Sequence, residues 1–305
     1  MNRFATLMQR EWMQHRLGWI IMMAAPFAIT LAAAPFSGVQ VTLDDGAAVV
    51  QRVPEALLIA FGCMAGLAVS TMVLASMFSL FQAPGLARRD HQDRSIEFWL
   101  SLPTGHLQSV GAPLLVHLLL VPWLALAVGA LGGWVVSLAV VTKTWSVGAW
   151  FTLPWGSVLA AALALLGRLA AGYVLALLWL SPLVLLTMAA SAWFKRWGVP
   201  LVVAVVGGGG LVLDNVYHQT QVWDTLRYLL HQATQALIVA DRAGPRSLTM
   251  RADGDPLPFV QGLPAWALHD LGSALGAAAT SGFLAALAVA GLGYALLVLR
   301  RQRGA

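Results

Sequence analysis

Six stretches of this chain stay apolar for roughly the 20 residues that a helix needs to cross the ~30 Å hydrocarbon core of a bilayer. They are Leu17–Phe36, about Ala56–Phe81, a segment within Val110–Val141, Leu169–Phe194, Val199–Leu213 and roughly Ala274–Leu299. A soluble fold could not hide so much apolar surface. Of the 305 residues, 59% are hydrophobic and 10% charged, against roughly 45–50% and 25% in soluble domains. With a mean hydropathy of +0.76, the expected fold class is all-α: a polytopic membrane protein with six transmembrane helices.

Orientation follows from the charges. With the N-terminus on the inner side, the inner segments hold eleven of the 18 Lys and Arg residues against four acids, and the outer segments hold seven against nine. The positive-inside rule then selects N-in and C-in, in the cell inner (plasma) membrane. The pI near 10 reflects these helix-end charges, which form no single basic patch, so a nucleic-acid partner is not expected. Cys63 is the one cysteine. It excludes a disulfide within one chain and a cysteine metal cluster.

Segments 1–16 and 17–305 divide the chain. Phe4, Leu7, Met8 and Trp12 recur at helical spacing with Arg3, Arg10, Gln14 and His15 elsewhere, the pattern of an N-terminal interfacial amphipathic helix on the cytoplasmic face. Residues 17–305 form the six-helix domain. Gly156–Phe194 is too long for one crossing and is broken only by Arg168. The expectation is an interfacial or re-entrant piece up to about Gly167, with Arg168 snorkelling at the outer boundary. Pro182 predicts a kink in the fourth span. Gly207–Gly210 predicts a break in the fifth, each glycine costing a helix ~1 kcal/mol relative to alanine.

The outer loop of residues 214–272 carries Val222, Leu226, Leu229, Leu230, Ala233, Leu237 and Ala240 at helical spacing. This amphipathic helix would lie on the outer leaflet or cap the bundle. Gly129 and Gly133 in the third span, and Gly272, Gly276 and Thr280 near the sixth, form rows that let helix backbones approach. Trp145, Trp150, Trp155 and Trp223 fall near the outer boundary and read as an aromatic belt.

The inner loop of residues 83–108 is the most informative stretch. A charged cluster, Arg88-Arg89-Asp90-His91-Gln92-Asp93-Arg94, leads into Ile96, Phe98, Trp99 and Leu100 and stops at Leu102-Pro103-Thr104-Gly105. Aromatic side chains exposed there need lipid or a protein to cover them. This order, with its DRSIEFWLSLP core, resembles the permeases of ABC type-2 transporters. That family has an N-terminal interfacial helix, six spans, a coupling loop between spans two and three, and a structured outer region between spans five and six. The resemblance implies an ABC type-2 exporter-like bundle over nearly the whole chain. It further implies that Asp93, Arg94, Glu97, Phe98 and Trp99 contact a separate ATPase subunit. The partners it implies are two ATPase copies, a second permease copy forming a homodimer or heterodimer, and membrane lipid.

The chain contains no GxxxxGK[ST] phosphate-binding loop, so ATP and Mg are expected in the partner, and no cofactor or catalytic residue in this chain. The expected spans offer almost no ionisable group for a proton or sodium relay. His117 is the one candidate, and it reads as a hydrogen-bonded interior residue. His218, His231 and His269, with Asp214 and Asp270, match no compact metal motif. A non-transporting assembly or sensor component working with the same ATPase, and an ion-gradient-driven carrier, remain the alternatives. The topology makes one direct prediction. In a chain whose Cys63 is replaced by alanine, single cysteines at Asp45 and Asp253 react with a membrane-impermeant thiol reagent from the periplasmic side. Labelling from the cytoplasm would overturn the orientation.

Overall fold

The computed structural model describes residues 3–35, 52–87, 105–239 and 256–303. Every regular element among them is helical, as hydrocarbon demands of a chain whose backbone polar groups must be satisfied internally. Five helical stretches are long and apolar enough to cross a membrane: Phe4–Ala33, Glu55–Leu86, His106–Thr144, Trp155–Tyr217 and Ser281–Arg303. The chain is a multi-pass membrane protein.

Helix α1 (Arg3–Ala33) is continuous. It shows no break at residue 16, where an interfacial helix was expected to end. Its early residues Leu7 and Glu11 are buried against the bundle. Helix α2 (Arg52–Leu86) is followed by α3 (His106–Leu115), a π-helical turn (Val116–Leu120) and α4 (Val121–Thr144), which form one rod. Helix α2 runs to Leu86 and α3 starts at His106, so both ends of the expected 83–108 segment are helical.

A short α5 (Val147–Phe151) leads into α6 (Trp155–Phe194), which has 40 residues and is about 60 Å long. The expected interfacial piece up to Gly167 is therefore an extension of the fourth span, not a separate element. An all-apolar, alanine- and leucine-rich run contains nothing to stop a helix.

The fourth and fifth expected spans lie in one apolar stretch that turns sharply at its middle. Lys195 has φ 55°. Seven residues beyond Ser191, Gly198 packs so closely that a Cβ there would lie 2.6 Å from the Ala190 carbonyl carbon. An unbroken helix would hold Gly198 and Ser191 about 10 Å apart. Helix α7 (Gly198–Val203) continues through a second π-helical turn (Ala204–Gly208) into α8 (Gly209–Tyr217). The glycine run widens the helix into a π turn instead of breaking it.

Helices α9 (Gln221–Leu237) and α10 (Leu257–Ala278) occupy the expected outer loop. The apolar face of α9, through Leu229, Ala233 and Ala236, packs on Ala176 and Trp179 of α6, so it lies along the middle of that helix. Ala274–Ala278 belongs to α10, and the last helix, α11, begins at Ser281. The last candidate span thus starts at Ser281, later than its apolar run suggested.

The central seam joins α2 and α4, which run antiparallel. A Cβ at Gly129 would strike Thr71 and the Leu67 carbonyl, and one at Gly133 would strike the Cys63 carbonyl and approach Met64 Cα to 2.6 Å. The GxxxG row is therefore used inside the chain. Thr71 Oγ1 crosses the seam to donate to the Ala125 carbonyl at 2.8 Å. At one end of the bundle Ala83, Met188, Ala189 and Leu297 meet, next to Arg300 and Arg303 stacked over Trp193. We call this the arginine end. At the opposite end Trp150 is buried, with its ring 4.3 Å from that of Trp155 and 5.9 Å from that of Trp134. Trp150 belongs to the packed core at this end, and the partly buried Trp155 packs against it.

Gly133→Ala should cost about 1–3 kcal/mol by forcing backbones apart. Gly66→Ala, whose Cβ meets nothing within 4 Å, should be neutral or stabilise by up to about 1 kcal/mol. Thermal unfolding of the detergent-solubilised protein compares them, and equal effects would contradict the seam.

Candidate functional site

Three polar side chains of the apolar region converge where α1 meets the π turn after α3. Glu11 and His15 are one helical turn apart and so share a face of α1. His117 sits in the Val116–Leu120 turn. Such π turns displace one residue from the regular ladder and are frequent at functional sites. Glu11 and His117 are buried, at 1% and 0% exposure. Glu11 Oε2 lies 3.4 Å from His117 Nε2, and Arg10 approaches Oε1 at 3.6 Å. The His15 and His117 rings meet edge to face at 5.0 Å, and the buried Trp19 covers them at 5.5 Å and 5.1 Å.

One ligand atom from each of Glu11, His15 and His117 lies within 4.8 Å of the others, and among the described residues this is the one such trio. The trio can hold a proton or a metal ion. His15 also lines an apolar groove of about 670 Å³ between Phe81 and Pro84 of α2, Leu183 and Thr187 of α6, and Val199 of α7. Of the trio, His15 alone lines the groove, whose wall extends to Leu86 at the arginine end.

A second buried polar centre lies about 39 Å along α6 from Phe194. Arg168, 2% exposed, donates from Nε to Asp270 Oδ2 at 2.7 Å, and its Nη2 lies 2.7 Å from the same oxygen. Its Nη1 donates to the Ala236 carbonyl at 2.9 Å. That carbonyl belongs to the last turn of α9, where the helix dipole favours a cation. The Val239 amide reaches Asp270 Oδ2 at 3.4 Å. Gly172, one turn on, leaves the room: a Cβ there would strike the guanidinium. Arg168 therefore does not snorkel. A partner on α10 lets it remain inside, joining α6, α9 and α10.

The expected contact residues Asp93, Arg94, Glu97, Phe98 and Trp99 lie outside the described residues. The helix ends that flank them, Leu86 and His106, are both at the arginine end: Leu86 and Val110 pack against the Ala83–Leu297 cluster, and Tyr294 donates to the Leu107 carbonyl at 2.7 Å. In the sequence Glu11 is one of the four acids counted on the inner side, and His117 stands among leucines as an interior residue. The i, i+4 pair Glu11/His15 was the only local signal, because no spacing rule links α1 to residue 117.

Removing Asp270 would leave a buried guanidinium uncompensated. Asp270→Ala should cost about 3–5 kcal/mol, and Arg168→Met with Asp270→Leu much less. Unfolding in detergent checks this, and a double variant as unstable as the single would show that the pair is not the cause.

Comparison with known proteins finds no matching family, curated sequence or solved structure, so the functional reading rests on the chain's own residues.

Proposed function

We propose that this chain is the membrane-spanning subunit of a transporter driven by a separate ATPase, with six spans in an ABC type-2-like bundle and both termini cytoplasmic. The observation that carries the reading is the Asp93–Trp99 segment. Its charged and aromatic residues fit a docking surface better than a solvated loop. Its flanking helices α2 and α3 end beside Arg300, Arg301 and Arg303, at the end where Lys195 and Arg196 also lie. That is the side on which the positive-inside rule places the cytoplasm. The absence of a phosphate-binding loop in this chain assigns ATP and Mg to the partner.

In this reading two permease copies bind two ATPases. Closure of the ATPases on ATP pushes the loop, and α2 and α3 carry the movement along the α2–α4 seam. Export of a substrate, or its extraction from the bilayer, fits the apolar groove that opens sideways past Phe81, which is 80% exposed.

A second reading has a specific observation in its favour. Glu11, His15 and His117 supply the buried ionisable cluster that an ion-gradient-driven carrier needs. Uptake into vesicles that lack ATP but carry a proton gradient would select it.

Phe98→Ala with Trp99→Ala should abolish co-purification of the ATPase from detergent extracts while membrane insertion stays normal. Undiminished co-purification would remove the docking role.

A further inference from the structure

The cluster on α1 and the π turn carries an inference that does not rest on the ATPase reading. Both ring nitrogens of the fully buried His117 lack a hydrogen-bond partner among the described residues. The 3.4 Å between its Nε2 and Glu11 Oε2 exceeds the ~2.7–2.9 Å of a charge-assisted N–H···O bond. It matches another geometry. Two ligands each ~2.0–2.1 Å from a tetrahedral ion stand about 3.4 Å apart. His15 has its ligand atom within 4.8 Å of the other two, so joining them on one ion requires the His15 side chain to move inward.

Two imidazoles and a carboxylate are the ligand set of three-residue zinc sites that keep one coordination position open. The surroundings suit an ion. Trp19, 0% exposed, walls the two rings from lipid. Arg10 engages the far carboxylate oxygen, Oε1, at 3.6 Å, leaving Oε2 facing His117. The half-buried His15 lines the groove, which provides an entry path. A dication would also give one of the two partnerless nitrogens of the buried His117 something to bind.

We propose that Glu11, His15 and His117 bind a divalent transition-metal ion of the zinc class, which pins α1 to the π turn after α3.

The test uses the full-length protein, purified in detergent and stripped with a chelator. Equilibrium dialysis against micromolar Zn²⁺ should load one ion per chain, and the thermal midpoint should climb with free Zn²⁺ as mass action requires. Glu11→Gln, His15→Gln and His117→Gln should each weaken binding by at least about 10-fold and remove the thermal response. Co²⁺ should show a visible spectrum of tetrahedral nitrogen/oxygen ligation that the variants lose. His15→Gln alters only a half-buried side chain, so it decides the matter should His117→Gln fail to fold. Absence of bound zinc in the parent protein would overturn the proposal. So would an unchanged stoichiometry and affinity in His15→Gln, which would place the ion elsewhere, for example at His218 or His231.

Discussion

Hydrocarbon offers a polypeptide no hydrogen-bonding partner, and in this chain that constraint acts at two levels. At the level of the backbone it makes the apolar stretches helical, because only a helix satisfies every N–H and C=O within one segment. At the level of side chains it makes a polar group without a partner inside the protein costly. Hydroxyls find partners locally: Ser76 donates to the Met72 carbonyl at 2.7 Å and Thr142 to Leu138 at 2.7 Å. A buried charge gains most from a partner on another helix, as Arg168 does from Asp270. Glu11 faces Arg10 of its own helix at 3.6 Å and His117 of the π turn at 3.4 Å.

These crossings organise the bundle. The α2–α4 seam brings backbones together through Gly129 and Gly133, with Thr71 closing it by a hydrogen bond. From that seam α1 reaches the π turn at His117, and α6 runs past both polar centres from the tryptophan-packed end to the arginine end. Helices of 35 to 40 residues are about 52–60 Å long, longer than a ~30 Å hydrocarbon core. The Arg168–Asp270 pair joins α6, α9 and α10, and the Glu11–His117 cluster brings α1 against the third apolar stretch.

Much of the fold was legible from one-dimensional pattern. Apolar run length marked the crossing helices, since the hydrophobic effect depends on composition over a window. The 3.6-residue period of Val222–Leu237 marked α9, and the GxxxG spacing marked Gly129 and Gly133 as a close approach. Boundaries were legible only where a residue forbids helix. Nothing in Gly156–Gly167 or Ala274–Ala278 does, and there the expected breaks fell in the wrong place. The continuity of α1 was hidden for the same reason: amphipathic spacing describes a face, and the face of Phe4–Trp12 packs on protein as readily as on headgroups.

Length, hydropathy and helix-end charge in the sequence by themselves determined that this is a multi-pass helical membrane protein, because each is a property of neighbouring residues and of their transfer from water. Only the tertiary structure decided which polar residues share a site. Glu11 and His117 are more than a hundred positions apart, as are Arg168 and Asp270. Which helices become neighbours depends on the packing of whole faces, and no local period records it. The sharp turn at Lys195 was likewise decided there, where Gly198 lets α7 lie against the end of α6.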